Sequence, residues 1–198
     1  MQYEIVLAFP QPMTPVRAVR STLLLGALAS LEAEGLLPAY SEVVPREVRE
    51  TIQGAIAGMW IPLGTALAHY KACDALRLPS ESMARLGRST FVRTKGLLLG
   101  AATGIARGAG VTPWAFVPHL QRFWLRGVDG GGIQALRIGP KEVRMDLLGC
   151  PLLQSHYFRA ACRGLVGGLF ELVCSRAYVH DQPLGDAESS ISFRVQWA

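Results

Sequence analysis

The stretch from Gly130 to Leu148, G-G-G-I-Q-A-L-R-I-G-P-K-E-V-R-M-D-L-L, predicts a β-hairpin. After a flexible glycine turn the residues alternate between two sides, with Ile133, Ala135, Arg137 and Gly139 on one and Gln134, Leu136 and Ile138 on the other. Gly139-Pro140-Lys141 is typical of the connecting turn. The second strand alternates in the same way, with Val143, Met145 and Leu147 on one side and Arg144 and Asp146 on the other. A period of two residues over this length favours two paired strands.

Beyond the hairpin the sequence predicts one long helix and two more strands. The helix runs from about Gln154 to Cys174. The strands cover residues 176–181 and 190–197, and the loop between them contains Pro183 and Gly185. The order of elements after residue 127 is therefore β-β-α-β-β.

Upstream of Gly127 the chain is predicted to be mainly helical. A short strand or extended arm covers residues 3–9, and helices are predicted over 14–35, 45–57, 62–76, 80–107 and 112–125. Thr14-Pro15 and Thr112-Pro113 each place a hydroxyl before a proline, which is typical of a helix start. Pro118 is expected to kink the last helix or delay its start. The predicted fold class is α+β: a helical N-terminal part (1–126) packed on a small antiparallel sheet with a β-β-α-β-β unit (127–198), all in one domain (1–198).

Composition favours a well-packed domain and argues against two classes of protein. Half of the residues are hydrophobic (50%) and 18% are charged, so the core is large and apolar material remains for a pocket or a subunit interface. No run reaches the roughly 18–20 apolar residues that span a membrane, and the N-terminus has no basic signal-peptide region, so we expect a cytoplasmic location. The arginines behind the net charge of +5 are scattered, which argues against nucleic-acid binding.

The segment 163–170, R-G-L-V-G-G-L-F, places three glycines inside the predicted long helix. Each costs about 1 kcal/mol relative to alanine, so they call for a structural reason. One explanation is close packing of this helix against the sheet or a neighbouring helix. The other is room for a flat or long apolar ligand beside the helix. A phosphate-binding loop is excluded because the glycines follow no strand and no Lys-Ser/Thr pair comes after them.

No catalytic or metal-binding motif is present in the sequence. The histidines do not occur at metal-ligand spacing, and the four cysteines form no C-x-x-C pair, so they are predicted to be reduced thiols. His119 lies among aromatic residues, where it is either an axial haem ligand or an ordinary core histidine. Ser155-His156-Tyr157 at a helix start is more typical of a cap than of a nucleophile. We therefore predict no catalytic residues and no metal site, and leave the cofactor open.

Three segments in the last part of the chain carry a family resemblance. They are the helix C-R-G-L-V-G-G-L-F (162–170), the strand A-Y-V-H-D (177–181) and the closing strand I-S-F-R-V-Q-W (191–197). Together with the hairpin they resemble the 4-vinyl reductase domain, which belongs with the haem nitric-oxide-binding domains and the small subunits of the TRAPP tethering complex. The layout is also similar to an uncharacterised paralogue family in myxobacteria, which implies no function.

The resemblance implies a pocket between the helical part and the C-terminal unit, holding a haem, another tetrapyrrole, an aromatic molecule or an acyl chain. His119 falls where the haem-binding members carry their axial histidine. Two departures from the family pattern argue against assigning the family's ligand and ligand-binding residues to this chain. The Tyr-x-Ser-x-Arg motif that holds haem propionates is absent, and residues 145–149 read M-D-L-L-G instead. The cysteines usual around the last two strands of 4-vinyl reductase domains are also missing, and only Cys162 matches a family cysteine.

Two functional hypotheses of different classes remain, with a third that depends on the family name alone. The first is a non-catalytic domain that binds a hydrophobic or tetrapyrrole-like small molecule, as a sensor that forms a homodimer or acts on a signalling partner. Its predicted ligand-binding residues are Trp60, Trp114, Phe116, His119, Phe123, Leu165, Gly168 and Phe170. The alternative is a structural or adaptor protein that assembles through a helix interface. The third is an enzyme acting on a tetrapyrrole or a polyketide.

Overall fold

The computed structural model describes residues 4–99, 112–182, 184 and 188–198. The helices are α1 (Ser21–Ala33), α2 (Leu37–Val43), α3 (Arg46–Gln53), α4 (Leu63–Ala75), α5 (Ser80–Leu99), α6 (Pro113–Phe116), α7 (Leu120–Gly127) and α8 (His156–Phe170). The strands are β1 (Glu4–Leu7), β2 (Ala18–Arg20), β3 (Trp60–Pro62), β4 (Val128–Asp129), β5 (Gly132–Gly139), β6 (Glu142–Leu148), β7 (Ala177–Gln182) and β8 (Ile191–Trp197). Short 3-10 turns cover Val117–His119 and Pro151–Gln154. The α+β prediction is confirmed.

The larger sheet has five antiparallel strands in the order β1-β5-β6-β8-β7. Its register places Met145 opposite Ala135 on one side and Phe193 on the other, so one face is continuous and apolar across three strands. All three of these side chains are buried. The predicted hairpin, with its inward-facing Val143, Met145 and Leu147, is confirmed. This face is the floor on which α8 and the other helices pack.

A second, three-stranded sheet was not predicted from the sequence. Its order is β3-β2-β4, and β2 lies where the sequence pattern predicts the first helix. The helix starts at Ser21 and not at Pro15, because the preceding segment is held extended by the residues just before and just after the hairpin. The Thr14 carbonyl accepts from the Gly131 N–H, and the Val16 N–H donates to the Gly149 carbonyl. These hydrogen bonds, between segments far apart in the chain, outweigh a favourable local start signal.

Most of the other helix predictions hold with shorter boundaries. The helices predicted over 45–57, 62–76 and 154–174 are α3, α4 and α8, and Ser155 caps α8 by accepting a hydrogen bond from the Phe158 N–H at 3.0 Å. The helix predicted over 112–125 is broken into α6, a 3-10 turn and α7, as Pro118 removes a backbone donor at its centre. The short α2 was missed. The end of the helix predicted over 80–107 lies outside the described residues.

Helices α5 and α8 cross at very close range. A Cβ added to Gly164 of α8 would lie 1.8 Å from the carbonyl oxygen of Ala84 of α5, so only glycine fits there. Gly168 faces Phe91 in the same contact, at 2.8 Å from its ring. The packing explanation of the glycine-rich segment is therefore confirmed for two of its three glycines. Helix α1 also packs on α5, where Gly26 lies against Thr90 and Thr94.

Candidate ligand-binding site

A cavity of about 120 Å³ lies between the helical layer and the apolar face of the five-stranded sheet. We call it the inner cavity. Its wall is formed by α1, α4, α5, α7, α8, β5, β6 and β8, together with residues next to them. No lysine, arginine, histidine or carboxylate contributes to this wall among the described residues. The inner cavity is therefore suited to an uncharged, largely apolar molecule.

Periodic apolar stripes position the helical side chains of the wall. In α7 the lining residues recur at intervals of three and four, at Leu120, Phe123, Trp124 and Gly127. In α8 the stripe runs for three turns, through Tyr157, Phe158, Ala161, Cys162, Leu165, Val166 and Leu169. This is the spacing that keeps side chains on one face of a helix. The sheet contributes the inward-facing Ile133, Met145, Leu147 and Phe193.

Tyr70 and Cys162 bring polar atoms to the wall, and burial keeps both groups neutral. Burial raises the pKa of the Tyr70 hydroxyl well above its usual value, and the pKa of the Cys162 thiol is raised for the same reason. The thiolate form of a cysteine is the nucleophile, so a thiol held protonated by burial is unreactive. Burial also raises the pKa of the Tyr157 hydroxyl, which therefore stays protonated. The other two polar groups already have partners: the Thr90 hydroxyl donates to the Leu86 carbonyl at 2.9 Å, and the Trp124 indole N–H donates to the Gly130 carbonyl at 2.7 Å.

The Tyr70 ring is held rigidly at the edge of the cavity. It meets the Phe158 ring edge-on with centroids 4.7 Å apart, and the Tyr157 ring lies 6.3 Å away at a tilt of 30°. Its hydroxyl makes no hydrogen bond to any residue in the part of the chain that the structure describes. The neighbouring tyrosine behaves differently, because the Tyr40 hydroxyl lies 2.7 Å from Nδ1 of the fully buried His69.

The Tyr40–His69 pair lies behind the cavity wall and has a structural role. Burial lowers the pKa of His69 to about 3, so its ring stays neutral. Cys73 Sγ lies 3.9 Å from Nε2 of the same ring, and burial raises the pKa of this thiol too. A buried, protonated cysteine beside a neutral histidine is not an activated nucleophile. All four cysteines are free thiols.

Two of the predicted ligand-binding residues, Phe123 and Leu165, lie in the wall of the inner cavity. Gly168 lies behind it, against Phe91, which is itself a wall residue. The structure thus brings these three together. Whether any of them contacts a ligand stays a prediction.

Three other predicted residues belong to a separate aromatic cluster, formed by Trp114, Phe116, Phe170 and Trp197. Edge-to-face contacts at 4.9–5.0 Å join Phe116 to Phe170 and Trp114 to Trp197. The Trp114 indole N–H donates to the Pro140 carbonyl at 2.7 Å and the Arg137 guanidinium stacks on its ring at 4.2 Å. Through this cluster α6 packs against the end of the sheet. None of the four cluster residues contributes to the wall of the inner cavity.

Trp60 and His119 lie away from the cavity. Trp60 is 39% exposed in β3, with the Arg20 guanidinium 3.8 Å from its ring centroid. His119 is exposed at the end of the 3-10 turn, while the next residue, Leu120, is 2% exposed and lines the cavity. Successive residues of a helical turn point in different directions, so His119 faces outward while Leu120 faces the cavity. Sequence reasoning missed most of the wall, including Tyr70, Cys162 and the α1 residues Leu23 and Ala27, and of these four only Cys162 had a signal, the stripe in α8.

Comparison with solved structures identifies the fold that this antiparallel sheet, its helices and the apolar cavity between them form. An H-NOX protein from K. algicida matches with a TM-score of 0.60 at 12% identity, covering 90% of this chain and 96% of that chain. An oxygen-binding H-NOX domain related to soluble guanylate cyclases matches with a TM-score of 0.56 at 13% identity, over 90% and 94%. A variant of the T. tengcongensis H-NOX domain gives 0.55 at 12% identity, over 88% and 94%.

This chain therefore has the H-NOX fold. No protein-family model and no curated protein sequence matches it. The comparisons support the haem-nitric-oxide-binding part of the predicted resemblance at the level of fold, and they do not bear on the 4-vinyl reductase or TRAPP parts. No helix among the described residues is long and apolar enough to cross a membrane.

The described residues do not fit a haem in the inner cavity. Its volume is close to the roughly 150 Å³ of an engineered cavity that holds benzene, and far below the roughly 300–1,000 Å³ of pockets for drug-sized ligands. The described part of the wall offers no basic side chain for propionates, and His119 faces outward. Four wall residues are of ligand types that haem accepts, but all of them line the small apolar cavity: Tyr70, Met145, Tyr157 and Cys162. Residues 100–111, G-A-A-T-G-I-A-R-G-A-G-V, include no histidine, cysteine, methionine or tyrosine.

A metal site is not supported either. Within the described ranges, no three His, Cys, Asp or Glu side chains lie close enough together to hold a metal ion. The chemistry that the site offers is therefore binding by shape, apolar contact and a small number of hydrogen bonds.

Proposed function

We propose that this chain is a non-catalytic small-molecule-binding domain that takes a compact, uncharged, largely apolar ligand in the inner cavity. The observation that carries this proposal is the cavity itself, which lies between helices and sheet and is lined by apolar side chains. Protein interiors are otherwise packed as densely as organic crystals, so an empty space of this size is not a by-product of ordinary packing. A tetrapyrrole ligand, which the resemblance implies, is not part of the proposal.

A sensory role is the use of this site that the fold favours. A ligand in the cavity would contact α1, α5, α7 and α8 and the sheet at once, so its binding energy would depend on how these elements are arranged. A ligand that binds one arrangement more tightly than another shifts the population toward it. A homodimer interface or a signalling partner in the cytoplasm would then convert that shift into an output, and we propose such a partner without specifying its surface.

The proposal is tested by native and denaturing mass spectrometry of the purified protein. The expected result is a bound mass of small-molecule size that is present under native conditions and lost on denaturation. In its absence, a panel of small apolar compounds should raise the melting temperature in proportion to their concentration, because a ligand that binds only the folded state stabilises it. No bound mass and no stabilised compound, with a stable dimer mass, would overturn the proposal in favour of the adaptor hypothesis.

A further inference from the structure

The Tyr70 hydroxyl is a hydrogen-bond donor without a partner at the edge of an apolar cavity. Tyr70 is 6% exposed and lines the inner cavity, and its hydroxyl makes no hydrogen bond to any described residue. Most buried polar side-chain atoms in proteins have a partner in the protein or in an ordered molecule beside it. A phenylalanine at position 70 would fill the same space without leaving a polar group unsatisfied. A hydrogen bond from this hydroxyl to a molecule bound in the cavity would explain why position 70 is a tyrosine.

Three other polar groups of the wall cannot replace Tyr70 as a donor to a ligand: the Trp124 indole N–H already donates to the Gly130 carbonyl at 2.7 Å, and Thr90 and Cys162 are unsuited for other reasons. Thr90 already donates to the Leu86 carbonyl at 2.9 Å and lies 3.2 Å from the Ser30 hydroxyl. Cys162 offers only a weak thiol donor. Burial holds the pKa of the Tyr70 hydroxyl well above its usual value, so it stays protonated and donates at neutral pH. Tyr157 also lines the cavity and burial keeps its hydroxyl protonated too, so among the described residues the wall presents two tyrosine donors in an otherwise apolar surface, and Tyr70, at 6% exposed against 1% for Tyr157, is the more accessible of the two.

We infer that the ligand of the inner cavity is a neutral, compact molecule with an apolar body and one acceptor oxygen, which receives a hydrogen bond from Tyr70. The inference rests on the proposed function and adds the chemical class of the ligand. Neutrality follows from the wall, because a charge buried without a partner is strongly unfavourable and no described wall residue carries one. The size follows from the volume of about 120 Å³, which is that of a single ring or a short branched chain.

The test compares benzaldehyde with styrene, which have nearly the same shape but differ by an oxygen in place of a CH₂ group. Dissociation constants for both are measured by calorimetry on the wild-type chain and on Tyr70→Phe. The ratio of the two constants within each protein is compared between proteins, so that differences in how water solvates the two compounds cancel. We expect Tyr70→Phe to shift this ratio by about five- to tenfold against benzaldehyde, the effect of one lost hydrogen bond.

Tyr40→Phe is the matched control, because it removes a buried tyrosine hydroxyl that already has a protein partner and does not line the cavity. It should leave the benzaldehyde-to-styrene ratio unchanged. Binding of both compounds with the same ratio in wild type and Tyr70→Phe would overturn the inference while leaving the proposed function in place. Failure of both compounds to bind the wild-type chain would overturn the proposed function and the inference with it.

Discussion

Gly87 of α5 and Ala161 of α8 touch through their backbones: a Cβ added to Gly87 would lie 2.0 Å from the Ala161 carbonyl oxygen. Ala161 lies one turn before Leu165 in the stripe that lines the inner cavity. The closeness of this contact therefore sets how far apart the two helices stand and, through that, the size of the space beneath them.

Substitution of Gly87 by alanine is expected to destabilise the fold by more than about 3 kcal/mol, because the methyl group meets backbone that cannot rotate away. The measurement is chemical denaturation followed by circular dichroism. Gly64→Ala is the control: Gly64 also lies in a helix, nothing lies within 4 Å of its added Cβ, and helix propensity predicts a gain of up to about 1 kcal/mol. Equal effects of the two substitutions would contradict the helix contact.

Substitution of Gly168 by leucine is expected to displace Phe91, because even a Cβ at position 168 would lie 2.8 Å from the Phe91 ring. Phe91 is 2% exposed and lines the inner cavity, so both stability and ligand binding should fall. Overpacking of this kind costs about 1–3 kcal/mol. Lys141→Ala, in the exposed hairpin turn, should change either quantity by less than about 0.5 kcal/mol in a parallel denaturation and binding measurement. A neutral Gly168→Leu would argue against the placement of this helix face.

A larger side chain should leave the fold stable where it enters the inner cavity and should destabilise it where it enters a packed site. Ala27 lines the cavity and Ala66 is fully buried outside its wall. We expect Ala27→Leu to leave stability nearly unchanged and to abolish binding of small apolar compounds, since its new side chain occupies their space. Ala66→Leu should cost about 1–3 kcal/mol, as overpacking does. Thermal denaturation with and without ligand measures both the stability of each variant and its ligand binding. Unaltered ligand binding by Ala27→Leu would count against the inner cavity as the binding site.

Haem reconstitution is expected to give no specific complex. No basic group lines the inner cavity among the residues that the structure describes, and His119 is exposed on the outside. Haemin added to the purified chain should show the same absorption spectrum with wild type and His119→Ala. A sharp Soret band at one haem per chain that is lost in His119→Ala would contradict this prediction and would show that the domain binds haem through His119.

The neutral His69 ring predicts a loss of stability in acid. Burial lowers the pKa of His69 in the folded chain to about 3, while the unfolded chain has the ordinary value near 6.5. Above pH 6.5 both states are neutral and the contribution is full. Below it the unfolded state binds a proton that the folded state does not, so the free energy of unfolding falls by about 1.4 kcal/mol per pH unit, down toward pH 3.

The pH window from 7 to 5 isolates this effect from most carboxylate titrations. Between pH 7 and pH 5, the free energy of unfolding of the wild type should fall by about 2 kcal/mol more than that of His69→Asn, which has no titrating ring at this position. Urea denaturation at several pH values provides the measurement. His119, His156 and His180 are exposed and remain in both proteins, so they cancel in the comparison. Parallel pH curves for the two proteins would show that His69 is protonated in the folded state.

Local sequence pattern determined the elements whose residues interact mainly with their neighbours in the chain or with an adjacent strand. The alternation of Val143, Met145 and Leu147 predicted β6 and its inward face, and Ser155 predicted the start of α8. Glycines at positions 164 and 168 predicted either close packing of the helix or room for a ligand beside it, and the structure shows close packing. In each case the period of the backbone, two residues in a strand and 3.6 in a helix, makes local sequence sufficient.

The tertiary structure decided everything that depends on which distant segments meet. Hydrogen bonds from Val16 to Gly149 turned a predicted helix start into an extended segment. The outward direction of His119 and the inward direction of Leu120 were fixed by the broken helix around Pro118, and the aromatic residues near them were divided between the cavity wall and a separate cluster. Tyr70 and Cys162, 92 positions apart in the numbering, became neighbours only because α4 and α8 pack together. A cavity is a property of packing between elements, and no local pattern encodes the space that they leave.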